Sequence, residues 1–456
     1  MKNMLNLRTL FSFVLFISVS FYASAQIANF RPYDQNGVNV FEPAKDFTTP
    51  YEKPTLRIGG SFTQQYQGLE HGNKADVKLA SDGVTDLNML YDLGNGFNTA
   101  TANLNLDFQI EDGIRVSLEN YMSSRHHNEF WVKGGYIQVD KLPMFGNPDW
   151  FSKYVRVKIG HMEVNYGDQH FRRTDNGNAI ANPFVGNYIM DAFATEIGGE
   201  AYLFPVENVM AMVGVTNGLI KGDITNTVRK PSYYAKLAYD KQLNDKTRVR
   251  ISASTYMNAE SGRNTLYGGD RAGSRFYMAM EPAFAIPRGS TVPVATNTTD
   301  NAFSGRINSG FSTNVTTWQI SPFIKVAGLE VFATYEQAQG YASTDPKKEG
   351  ADTPEKRTVS QLAVEGIYRF LPREQVYLGA RYNTVNGELG ARITDANANP
   401  LDLGITRMEI VGGWYPTPNM LLKASYVNQE YKDYPSNQLY SEGYFKGVMI
   451  EAVVGF

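Results

Sequence analysis

Between Asn165 and Asp191 the chain reads NYGDQHFRRTDNGNAIANPFVGNYIMD, with its charges crowded toward one end. Arg172 and Arg173 form a cationic pair, Asp168 and Asp175 flank it, and His170 stands between. Charges of both signs this close together are either solvated on a surface loop or face one another across a narrow passage and sort solutes by charge. Other constellations carry less. His126, His127 and Glu129 are metal-ligand types, but adjacent histidines rarely converge on one ion and no third ligand is spaced nearby, so no metal site is expected. His71 and His161 are isolated. Ser, His and Asp occur on polar connections without a nucleophile elbow or comparable motif, so neither a catalytic residue nor enzyme activity is expected. The Asn-rich acidic stretches lack EF-hand spacing, and no cofactor is expected. The chain has no cysteine, which rules out a disulfide framework and any thiolate site.

The elements that must position these side chains show themselves by alternation. Over Lys446–Phe456, the residues Val448, Ile450, Ala452, Val454 and Phe456 share one face, while Gly447, Met449, Glu451, Val453 and Gly455 share the other. Such a segment has the roughly ten residues that a tilted strand needs to cross a bilayer. Ala102, Leu104, Leu106, Phe108 and Ile110 alternate with Thr101, Asn103, Asn105, Asp107 and Gln109; after the turn Glu111-Asp112-Gly113, Ile114, Val116 and Leu118 resume the pattern as a hairpin. The same grammar recurs at Leu56–Gln67, Gly135–Asp140, Tyr154–Val164, Phe193–Leu203, Val209–Thr216, Tyr233–Asp240 and Thr247–Met257. Beyond a long segment, Asn258–Thr313, it returns at Val315–Val326, Leu329–Gln339, Arg357–Phe370, Gln375–Val385, Ile405–Tyr415 and Met420–Glu430. About sixteen strands with connections alternately short and long predict an all-β fold, a transmembrane antiparallel up-and-down β-barrel over residues 55–456. A set of soluble β-sandwiches would give no reason for that asymmetry. The even count leaves both chain ends on the short-turn side. Tyr66, Trp131, Trp150, Tyr154, Phe204, Tyr239, Trp318, Tyr335, Phe370, Trp414, Tyr415 and Tyr444 gather near strand ends as two interfacial girdles.

Residues 1–25 have the three parts of a secretory signal peptide: basic Lys2 and Arg8, the apolar run Leu10–Tyr22, and the small-x-small site Ala23-Ser24-Ala25. Residues 26–54, broken by Pro32, Pro43, Pro50 and Pro54, are expected to be an irregular periplasmic lead-in. The whole chain carries 43 basic and 46 acidic residues, a net charge of −3, and the leader holds two of the basic ones and none of the acidic. That balance excludes a general nucleic-acid binder.

A spanning strand must satisfy every backbone polar group without help from lipid, which closure into a barrel achieves. Roughly sixteen strands leave a lumen too wide for wall side chains to fill. By alternation the inward set includes Arg57, Asp107, Arg115, Glu119, Arg156, Lys158, Arg248, Arg250, Arg369, Arg381 and Arg407. Charges at that depth face water or each other, so a water-filled, pore-lining wall is expected.

The leader, the stretch GHMEVNYGDQHFRRTDNGNAIANPF (160–184) and the terminal Phe456 resemble the outer-membrane porins of Bacteroidota, which are distantly similar to the phosphate-selective porin O/P family. The resemblance implies passive diffusion of small hydrophilic solutes or ions through the Gram-negative outer membrane, in contact with its lipid and lipopolysaccharide. It also implies a homotrimer, and a terminal Phe456 read as an assembly signal by the barrel-assembly machinery. It further implies that the third long loop, about 165–191, folds inward, so that Asp168, His170, Arg172, Arg173 and Asp175 form the pore constriction. Phosphate selectivity is not expected, because Glu and Asp are interleaved with the basic residues. Two alternatives stand beside this reading. One is a binding or scaffold barrel for a surface partner or export complex, motivated by the segment Asn258–Thr313. The other is a substrate-specific oligosaccharide channel with Tyr256, Phe332, Tyr377 and Tyr415 as inward aromatics.

Overall fold

A computed structural model describes residues 29–43, 45, 50–124, 129–219, 224–268, 275–287, 289–298, 304–395 and 399–456. The leader 1–25 and the pair His126-His127 lie outside the described residues. Sixteen long strands form the wall. They are β1 (Thr55–Gly72), β2 (Thr101–Glu111), β3 (Ile114–Ser123), β4 (Phe130–Val139), β5 (Val155–Glu163), β6 (Thr195–Leu203), β7 (Val209–Thr216) and β8 (Ser232–Asn244). The set continues with β9 (Thr247–Asn258), β10 (Asn314–Val326), β11 (Leu329–Tyr341), β12 (Arg357–Phe370), β13 (Val376–Gly387), β14 (Leu403–Thr417), β15 (Met420–Lys432) and β16 (Tyr444–Gly455). Each strand pairs antiparallel with its sequence neighbours, and β16 returns to β1 with Ser61 opposite Gly455 and Gly72 opposite Tyr444. The barrel is closed, so no sheet edge is left unpaired.

Alternation decides which way each side chain points. On β16, Val448, Ile450, Val454 and Phe456 are exposed, while Met449, Glu451 and Val453 are buried. Ile58, Leu237, Ile251, Leu378 and Ile410 continue the outward apolar belt, with Phe145, Trp150 and Trp414 exposed near the short turns. Tyr415, placed by its position in an outer girdle, instead lies on the inward parity of β14 with Arg407 and Glu409, and its hydroxyl donates to the Ile180 carbonyl at 3.2 Å.

Much of the interior is packed rather than open, because three connections fold into it. The connection from β5 to β6 runs inside the barrel, with Phe184, Val185, Ile189 and Met190 fully buried. Residues 29–43, irregular apart from a single 3-10 turn at Gln35–Gly37, cross the short-turn mouth. Tyr33 donates to Asp107 on β2 (2.9 Å), Asn39 to Glu330 on β11 (2.7 Å), and the Gln35 amide to Pro418 beyond β14 (2.8 Å). This lead-in therefore touches opposite walls. From the long-loop end, the connection 259–313 enters as well: Phe276 packs on Phe445 with ring centroids 5.0 Å apart, and the Met280 amide donates to His71 Nδ1 at 2.9 Å. An irregular backbone is tolerated at this depth because side chains of the wall satisfy its polar groups.

Candidate functional site

The inserted loop is stitched to β12 to β15 along residues 179–190, and to β1, β2 and β3 through Asn176 and Gly177. Lys423 on β15 donates to the carbonyls of Ala179, Asn182 and Phe184 at 3.1, 2.7 and 2.8 Å, and pairs with Glu451 at 2.7 Å. Arg381 on β13 donates to the Gly186 carbonyl at 2.6 Å and pairs with Glu409 at 2.7 Å. Arg407 donates to the carbonyls of Asn187 (2.6 Å) and Gly305. Facing these, the amides of Val185, Ile189 and Met190 donate to Glu409, Asn383 and Gln361. Gly177 lets the loop lie against β2, since a Cβ there would sit 2.5 Å from Ala102 Cα.

The sequence-derived constriction residues divide between this packed half and the opposite one. Asp168 is enclosed, paired with Lys236 (2.7 Å) and Arg250 (2.8 Å); burial opposes its charge, but those two cations win and its carboxyl is held below the usual range. Arg172 is equally enclosed: it pairs with Glu365 at 3.0 Å and bonds Asn39, beside a void of about 10 Å³ that leaves room for no more than a water. His170, Arg173 and Asp175 reach the other side, where the loop stands off the wall and leaves a cavity of about 190 Å³.

That cavity runs along β2 to β6. Asn103, Asn105, Ser117, Glu119, Tyr136, Lys158, Glu163 and Tyr202 line it from the barrel wall, and Phe30, Arg31, Tyr33 and Glu42 line it from the lead-in. Of the wall residues expected to line a pore, Glu119, Arg156 and Lys158 border it. The rest are covered and paired. Arg57 binds Asp107 (2.5 Å) and stacks on Tyr33, Arg115 binds Asp140 (2.9 Å), and Arg248 binds Asp240 (2.6 Å). Arg250 binds Glu42 at 2.5 Å and Asp168, Arg369 binds Glu330 at 2.7 Å, and Arg381 and Arg407 hold the loop. The expectation of a wall open to water gives way for these positions, because neighbouring carboxylates of the wall and its turns pair them and, for Arg250, Glu42 and Asp168 of the inserted segments do so. Tyr256, Phe332 and Tyr377 are inward but fully buried.

The two ends of the cavity carry opposite imbalances. Toward the long loops, Lys133 alone faces Glu119 (3.3 Å), Glu163 (3.0 Å) and Asp175 (2.8 Å); Arg173 is shared between Asp175 (3.2 Å) and Asp191 (2.7 Å). His170 bonds Glu163 at 3.0 Å, and burial lowers its basicity more than that neighbour restores it. Toward the short turns, Arg156 borders the cavity, and behind it Asp140 is shared among Arg156 (2.8 Å), Arg115 (2.9 Å) and Lys45 (3.8 Å). Lys158 adds a further cation there: among the described residues it makes no ion pair, and its Nζ lies over the rings of Tyr136 (5.0 Å) and Tyr202 (5.5 Å). Arg31 donates from Nε to Gly37, but its buried Nη2 has no hydrogen-bond partner among the described residues, and burial pushes its pKa down to about 10.

Lys133, Glu163 and Arg31 line the cavity and stand outside the set expected from the sequence. Lys133 has the parity of Ile137, an outward residue, but a β-bulge opposite Glu119 and Asn120 breaks the count and turns its side chain inward. Above it lies a larger vestibule of about 710 Å³, lined by Trp131, His161, Phe193, Tyr267, Phe311 and Asp345 among others, and by Lys133 itself.

The barrel is similar to solved porins. An anion-selective porin from Comamonas acidovorans superposes with a TM-score of 0.50 at 10% identity, covering 89% of this chain and 100% of that one. In vitro folded OmpT, an outer membrane protein of Vibrio cholerae, gives 0.49 at 10% identity over 89% of this chain and 98% of that one. The outer membrane channel DcaP of Acinetobacter baumannii gives 0.48 at 14% identity over 89% and 98%. At such identity the likeness is one of fold: this is a porin-type barrel. No protein-family model matches the sequence, and no curated protein is similar to it in sequence.

Proposed function

We propose that the chain is an outer-membrane porin of a Gram-negative cell, in which small hydrophilic solutes or ions diffuse along one side of the barrel. The observation that carries this reading is that the outer vestibule and the inner cavity adjoin at Lys133, which borders both, while Arg31 of the lead-in lines the inner cavity. The outward apolar belt supports a lipid-facing wall. His170, Arg173 and Asp175 form the loop's share of the constriction, with Lys133, Glu119 and Glu163 as the wall's share; Asp168 and Arg172 anchor the loop. Charged groups of both signs across a narrow passage make it discriminating rather than general.

On this account the leader directs export, Phe456 serves assembly, and the barrel forms trimers. Phe456 is exposed, and its amide and carbonyl bond to Gly60 at 3.0 and 2.9 Å. The test is reconstitution in a planar lipid bilayer. Stepwise openings smaller than those of an unobstructed sixteen-strand pore are expected. A silent barrel would overturn the channel reading and favour a scaffold, for which the exposed hairpin pairing Phe284–Ala285 with Val294–Ala295 offers a surface.

A further inference from the structure

Resting on that channel reading, we infer that the cavity recognises zwitterions, specifically short peptides of two or three residues, with the ammonium toward Glu119, Glu163 and Asp175 and the carboxylate at Arg31 and Lys158. A buried polar atom without a partner is costly unless a ligand supplies one. Two such atoms border this one cavity and ask for opposite partners: Arg31 Nη2 is a donor, and Asn178 Oδ1 is an acceptor. Lys158 adds an ammonium that faces aromatic rings and no carboxylate. At the far end, Glu119, Glu163 and Asp175 share Lys133, and the only further cation on them among the described residues, Arg173 on Asp175, is itself shared with Asp191. A pure anion would be repelled by the carboxylate cluster on its way in from the vestibule, and a pure cation would leave Arg31 and Lys158 unmatched. A solute charged at both ends satisfies both.

The spacing selects its length. Lys158 is level with Arg115 through Gln138, and Arg115 lies four residues along β3 from Glu119. Four residues of strand separate those levels by about 13 Å, and Lys158 Nζ shortens the gap by lying over the ring of Tyr136, which is level with Ser117, two residues from Glu119. A peptide extends about 3.3–3.6 Å per residue, so two or three residues bridge it, whereas a free amino acid does not. Between the ends, Asn105 offers an amide partner for a peptide group, and Tyr136 and Tyr202 offer apolar faces.

The experiment is swelling of liposomes carrying the full barrel, with dialanine, N-acetyl-dialanine, dialanine amide and a neutral sugar of similar size. Dialanine is expected to enter about tenfold faster than either capped peptide, the factor for one charge-assisted contact. Arg31→Met and Lys158→Met should each erase the advantage over dialanine amide, and Glu119→Gln the advantage over N-acetyl-dialanine. Heat-modifiable gel mobility checks that each variant barrel is closed. Entry of all four solutes at equal rates would overturn the inference and leave the porin reading standing. Entry of none, with silent bilayers, would overturn the porin reading and this inference with it.

Discussion

On β12 to β15 the inward charges spend themselves on the inserted loop: Arg381, Arg407 and Lys423 hold its carbonyls, and Glu409 takes the amide of Val185. On β3 to β5 the inward charges Glu119, Lys158 and Glu163 border a void, and their pairing is lopsided, with Glu119 and Glu163 sharing Lys133 while Lys158 faces aromatic rings. One barrel thus uses the same residue types as structural rivets on one side and as an unbalanced surface on the other. What separates them is whether the backbone of the inserted loop packs against the wall and takes up its polar groups. Inward charge alone does not identify a pore lining.

The largest way to break the contrast is to remove the rivets' target. Replacing residues 170–188 by a short Gly-Ser linker should raise single-channel conductance by roughly an order of magnitude, because sixteen strands enclose an aqueous lumen once it is unplugged. The next effect is on stability. Arg381→Met leaves Glu409 and Glu365 buried and undercompensated, which should cost about 3–5 kcal/mol in urea unfolding. Lys158→Met, on the hollow side, should stay within about 1 kcal/mol.

A smaller change concerns selectivity. Lys133→Gln strips the shared cation from three carboxylates, so the reversal potential in a KCl gradient should move toward K⁺, by roughly twofold to fivefold in permeability ratio. An unmoved potential would place the path elsewhere.

The smallest effect is on pH. Burial lowers the His170 pKa below its ordinary 6.5, against the pull of Glu163, so the ring is neutral at pH 7. The unfolded chain then takes the proton first on acidification, and stability falls as pH drops below about 6.5. Protonation in the folded barrel adds positive charge beside the constriction and should weaken cation preference in acid. His170→Gln should flatten both trends in titrated unfolding and reversal-potential measurements.

The wall was legible because alternation is a local rule with a physical cause, and β16 shows both of its faces in the chain's last residues. The loop from Asn165 could be placed inside only by resemblance, since its own polar residues suit a solvated surface equally well. Its sorting into anchors such as Arg172 and lining residues such as Asp175 depends on partners as distant as Glu365 and Lys133. Lys133 escaped notice because a bulge reverses parity without any mark in a single sequence beyond the adjacent Gly134 and Gly135. Arg31 escaped because proline-broken chain reads as tether, while its packing is supplied entirely by the barrel it enters.

The central claim, a solute path along β2 to β6 and none along β12 to β15, has a direct test because the chain contains no cysteine. Single Asn105→Cys and Asn383→Cys barrels would be exposed in a planar bilayer to a cationic methanethiosulfonate reagent while current is recorded. The account predicts that modification at 105 cuts the current and that 383, bonded to the Ile189 amide at 2.7 Å, stays unreactive. Block through 383 with no effect at 105 would contradict it.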